Sequence, residues 1–64
     1  MNEAERIAGE IIGLLTRHER AQVRRMPQVQ RDDYLIDRFD SVYDRETLYV
    51  VMDYITIAIQ EGEL

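Results

Sequence analysis

Between Asp44 and Gly62 the chain places Leu48, Val51, Met52, Ile55, Ala58 and Ile59 at helical spacing and adds Val50, Tyr54 and Ile57 on a second flank. Only Tyr49, Asp53, Thr56 and Gln60 remain as a narrow polar side. A helix apolar over more than half its circumference is the pattern of one enclosed by neighbours, so the rest of the chain must supply helices to cover it. The run "ITIAI" within this segment also alternates like a strand and is rich in β-branched residues. Nothing else in the chain alternates to pair with it, however, and a lone strand cannot satisfy its own backbone.

The upstream sequence reads as the required cover. From about Asn2 to Arg25, Ala4, Ile7, Ala8, Ile11, Leu14, Leu15 and His18 recur at three- and four-residue steps and share one helical face. Asn2 is placed to cap this helix, and Glu3 and Glu5 suit its positive start. Pro27 ends it, because proline has no N–H to donate and disfavours helix at the residue before it. A second, shorter helix opens after Asp32 as its cap, with Leu35, Phe39 and Val42 on one face and Ile36 and Tyr43 beside them. Asp44 caps the third helix and Gly62 stops it. The expectation is a single all-α domain over residues 1–64, a small three-helix bundle with helices at about 2–25, 32–43 and 45–61.

Such a bundle has little to hold it together. At 64 residues a single core barely offsets the entropy of ordering the chain, and without cysteine neither a disulfide nor a thiolate metal site can help. Association with another chain is the remaining device, so the bundle is expected to be completed by dimerisation. Two broad covering helices do not suffice for the last helix, which leaves Val50, Tyr54 and Ile57 as a seam or docking surface. On the outer side of the first helix Gly9 and Gly13 form a small-residue groove that would admit a second helix backbone.

Charge is unevenly spread. The segment RHERAQVRRMPQVQR, residues 17 to 31, holds five of the eight arginines and sums to +4, while the remainder sums to −9. On a continuous first helix Arg6, Arg17, Arg20 and Arg24 would fall within about 40° of each other, opposite the apolar stripe. Asp33, Asp37, Asp40 and Asp44, spaced by four, three and four, form an acidic stripe that like-charge repulsion makes costly unless cations approach it. Both rows suit a solvated surface. They equally suit subunits meeting basic row to acidic stripe, or an acidic face that imitates nucleic-acid phosphates or docks on a basic protein.

Other function classes find no support. Arg17, Arg20 and Arg24 beside a Pro-bounded turn would suit phosphate contacts, but the following helix carries aspartates and the net charge is −5, which argue against nucleic-acid binding. His18 is the only histidine, Ser41 has no identifiable base, and the aspartate stripe lacks the glycine-centred loop of a calcium site. No catalytic, cofactor or metal residue is therefore assigned, and no small-molecule substrate. Neither a membrane span nor a signal-peptide pattern is present. The sequence thus reads as a non-enzymatic cytoplasmic interaction protein, homodimeric and binding a larger protein, of a size suited to a bacterial or phage regulator or inhibitor.

Overall fold

The helix expected over residues 2–25 is two helices. In the computed structural model, which describes residues 2–64, the chain is all-helical, with α1 at Glu3–Leu14, α2 at Arg17–Arg25, α3 at Gln28–Phe39 and α4 at Arg45–Gln60. The break falls at Leu15 and Thr16, whose ψ angles of 138° and 165° are extended. Thr16 builds a capping box there: its hydroxyl accepts from the Glu19 N–H and the Glu19 carboxylate accepts from the Thr16 N–H, both at 3.0 Å. Caps of this kind contribute about 1 kcal/mol, enough to favour a fresh start over continuation. Arg20 closes the break from the other side, its Nε donating at 3.1 Å to the Ile12 carbonyl, which also accepts from the Leu15 N–H at 3.3 Å.

Pro27 ends α2 as expected from its chemistry, with Met26 extended at ψ 142°, but it also opens the next helix. Helix α3 begins at Gln28 rather than after Asp32, with Pro27 as its N-terminal cap and no side-chain cap bond. Asp32 is therefore not a cap. It lies inside the helix and holds Arg31 instead. Helix α3 also ends earlier than 43: Phe39 is its last residue, and Val42, expected on the apolar face, stands 63% exposed in the turn to α4. Asn2 and Asp44 do cap, accepting from the backbone N–H groups of Glu5 and Thr47 at 2.8 Å each. Gly62, at φ +78°, gives α4 a C-terminal turn in which the Gly62 and Glu63 N–H groups return to the Ile59 and Ala58 carbonyls.

One core joins all four helices. Ile7, Ala8 and Ile11 of α1, Val23 of α2, Leu35, Ile36 and Phe39 of α3 and Leu48, Val51, Met52 and Ile55 of α4 are buried together, with Leu15 from the break. Helix α4 packs mainly on α1 and also on α3, so the most apolar segment lies at the centre. Truncating a fully buried member such as Ile11, Leu35 or Ile55 to alanine would cost about 2–5 kcal/mol, a large share of what so small a domain has.

The buried side chains include one charge. Arg31, the last residue of the basic segment, is 4% exposed. Its guanidinium donates to Asp32 Oδ1 and to the Thr56 hydroxyl, both at 2.6 Å, and Thr56 in turn donates to the Met52 carbonyl at 3.0 Å. This chain of bonds ties α3 to α4 across the core margin. A second polar seam ties α2 to α3: the Glu19 carboxylate, besides capping α2, accepts from the Tyr34 hydroxyl and from Arg38 Nε at 2.8 Å each. The Arg38 guanidinium also stacks 5.0 Å from the Phe39 ring centroid.

Candidate interaction surface

The break at Leu15 and Thr16 parts Arg6 from the other arginines of the basic row, and the end of α3 parts Asp44 from the aspartate stripe. Because the chain turns at Leu15 and Thr16, Arg6 lies on α1 and Arg17, Arg20 and Arg24 on α2. Arg6 forms ion pairs with Glu3 and Glu10, Arg20 holds the Ile12 carbonyl, and Arg24 Nη1 donates to the Leu64 carbonyl at 2.8 Å. Arg17 stays exposed, as does His18, which faces away from the core rather than bordering it. Of the aspartate stripe, Asp33 and Asp37 lie on α3, Asp40 is its C-cap and still in the helical region, and Asp44 caps α4. The cation that approaches the stripe comes from its own chain. Arg45 reaches Asp37 at 3.7 Å and Asp40 at 3.6 Å.

The apolar flank of α4 fares differently. Val50 and Ile57 are 50% and 46% exposed, and Tyr49 beside them is 55% exposed. At ~100° per residue Val50, Asp53 and Ile57 share one face with Glu46 and Glu61, so two apolar side chains alternate there with three acids, and Tyr49 stands at the edge. No basic residue interrupts this strip. Tyr54 belongs to its edge rather than its centre: it is partly buried against the core, and its phenol oxygen accepts from Asn2 Nδ2 at 2.6 Å. The side chain that caps α1 is thereby also fastened to α4.

Beside the strip, α1 and α4 part to leave an open groove of about 390 Å³. Ala8, Gly9 and Ile12 form one wall and Tyr54, Ile57 and Ala58 the other, with Glu5, Glu61 and Glu63 also on its lining. Three of the five residues expected at an interface, Gly9, Tyr54 and Ile57, thus converge on one depression, and Val50 continues its α4 wall along the helix. Gly13 is not among its lining residues. A methyl group added at Gly9 or Gly13 would meet no other atom within 4 Å, so neither glycine is required by packing inside the chain.

Glu19 is the polar residue that sequence reasoning passed over. Its carboxyl is held down at about 2, from an ordinary 4.5, by the Arg38 guanidinium first, then by the Thr16 N–H and the Tyr34 hydroxyl. The same contact raises Tyr34, and Tyr43 is raised likewise by its bond to Glu10. These are structural contacts between helices, not an acid and base poised around an open site. Among the described residues no three His, Asp or Glu side chains converge to hold a metal ion, and no helix is long and apolar enough to cross a membrane. No protein-family model, no curated protein and no solved structure matches the chain.

Proposed function

We propose that this chain is a non-enzymatic cytoplasmic interaction module that regulates a larger protein by binding it through the outer face of α4. The observation that carries the reading is the exposure of Tyr49, Val50 and Ile57 along one helix, with Ile57 also lining the α1–α4 groove. Isolated exposed apolar residues are ordinary, but a contiguous apolar patch rimmed by polar groups marks a contact surface.

The charge on this face bears on what it contacts. In a two-fold dimer formed through the strip, the acids Glu46, Asp53 and Glu61 would face the same set of acids on the other copy, which opposes self-pairing. A partner bearing positive charge gains from the same groups. The reading therefore favours a heterologous, basic partner over the homodimer that size and composition alone make attractive.

The test compares Val50→Asp and Ile57→Asp with Val29→Asp, a change at a 75% exposed valine on α3. With helix content unchanged in all three, a partner that co-purifies with the native chain should be lost with the two α4 variants and kept with Val29→Asp. Retention by both α4 variants, or loss confined to Val29→Asp, would place the contact elsewhere.

A further inference from the structure

Resting on the reading of α4 as the contact face, the geometry points to the α1–α4 groove as the seat of a cationic amphipathic helix from the partner, with Gly9 keeping that seat open. The argument has three parts. The groove volume, about 390 Å³, is that of a small binding cleft and accommodates apolar side chains projecting from one helical face. Its walls supply apolar contact from Ala8, Ile12, Ile57 and Ala58 and its lining carries three carboxylates, Glu5, Glu61 and Glu63, with no basic residue among the lining groups. None of those three carboxylates forms a salt bridge among the described residues, so each is available to an incoming lysine or arginine.

The backbone of the occupant follows from what this chain lacks. An extended peptide gains affinity by adding to a sheet edge, and the described residues contain no strand that could offer one. A helix satisfies its own N–H and C=O groups and needs only an apolar trough with charge along its sides, which the groove and the α4 strip together provide. Helix α4 offers 16 residues of length, about 24 Å at 1.5 Å per residue, so an occupant of similar length runs beside the whole strip.

Gly9 is the diagnostic position. It lines the groove, whereas Gly13, one turn further along α1, does not. Both are exposed, and a Cβ added at either has open space beyond the helix's own backbone, so substitution at either starts outside the core. The probe is a fluorescently labelled synthetic helix of about 18 residues, with leucine at every third or fourth position and lysine elsewhere, and a twin in which glutamate replaces lysine. Fluorescence anisotropy should show the lysine peptide binding the native chain and the glutamate twin failing to bind. Gly9→Leu should weaken the lysine peptide about tenfold or more, and Gly13→Leu should leave it unchanged.

Equal affinity of the Gly9→Leu and Gly13→Leu variants would overturn the groove as the seat. If Val50→Asp still abolishes binding in that case, the contact face stands and only the seat is wrong. If Val50→Asp also binds normally, the contact face falls with it. No binding of the lysine peptide to the native chain overturns the assignment of a cationic helical partner.

Discussion

At the seam of α2 and α3 the two oxygens of Glu19 accept from the Thr16 N–H, the Tyr34 hydroxyl and the Arg38 guanidinium, whereas on the outer face of α4 the carboxylates of Glu46, Asp53 and Glu61 form no salt bridge among the described residues. The apolar surroundings differ in the same direction. Glu19 and Arg38 border a buried cluster that includes Leu35 and Phe39, while the α4 acids stand among side chains that water still reaches. Charge that is answered within the chain fixes the relative position of helices. Charge left unanswered beside exposed apolar groups contributes nothing to this fold and is free to select a partner. The basic segment belongs largely to the first kind, since Arg20, Arg24 and Arg31 each close a gap in the chain's own hydrogen bonding.

If this contrast is correct, substitutions on the two sides should separate stability from binding. Among polar and charged positions the largest stability effect is expected at Arg31. Arg31→Ala removes a buried stem and leaves Asp32 without its cation, a loss of about 2–3 kcal/mol moderated because Asp32 is partly hydrated. At roughly 4–8 °C per kcal/mol for a domain of this size, thermal unfolding followed by circular dichroism should shift down by about 10 °C or more. Arg31→Met keeps most of the packing and should lose less than about 1.5 kcal/mol. Equal losses in the two variants, both of which remove the guanidinium, would show that the bonds to Asp32 and Thr56 carry the whole effect and the buried stem none of it.

The next effect is pH-dependent and belongs to Glu19. Its carboxyl is lowered in the folded chain, so its contribution is fully present above about 4.5 and disappears as pH falls towards about 2. Chemical denaturation across that window should show a falling midpoint for the native chain. Glu19→Gln should be less stable at neutral pH and should show a flatter profile below 4.5, with Asp44, also lowered through its bonds to Thr47, supplying part of the slope that remains. An undiminished acid slope in Glu19→Gln would remove the seam from the account.

Smaller still, and opposite in sign, are the helical glycines. Gly9→Ala and Gly13→Ala each replace an exposed mid-helix glycine with open space around it, and each should add up to about 1 kcal/mol of stability. A loss at either would mean that α1 needs the glycine for its own fold. On the α4 strip itself Val50→Asp should change stability by no more than about 0.5 kcal/mol, because the side chain is half in water already.

The helical class, the caps at Asn2 and Asp44 and the centrality of the last helix were legible because each rests on local chemistry or on a period sustained over many residues. What escaped the sequence reading was competition between signals. The apolar spacing of Leu14, Leu15 and His18 continues smoothly across a Thr-x-x-Glu capping box at 16–19, and the box prevails, with Leu15 buried in the core at the turn and Leu14 and His18 left exposed. Pro27 reads as a stop, yet the residue that ends one helix also serves as the cap of the next. The boundary at Thr16 also parts Arg6 from Arg17, Arg20 and Arg24, since a row runs only as far as its helix. The Arg31 site was hidden for another reason: Thr56 lies 25 residues away, and only the packing of α3 on α4 brings it within reach.

At the contact face, the reading of Val50, Tyr54 and Ile57 as surplus apolar surface needed no knowledge of the turns, since it depended on a single helix. Two of the three are exposed, and Tyr54 is a core-edge residue bonded to Asn2, which makes Tyr54→Asp a test of folding rather than of binding. The depression between Gly9 and Ile57 could not be read at all, because it depends on how α1 and α4 diverge.

The most direct measurement titrates the labelled lysine–leucine helix against the native chain and against Val50→Asp, with thermal unfolding of both proteins recorded in the same buffer. The account predicts matching unfolding curves and an affinity lower by about tenfold or more in the variant. Matching curves with matching affinities would contradict it, and would return the outer face of α4 to ordinary solvated surface.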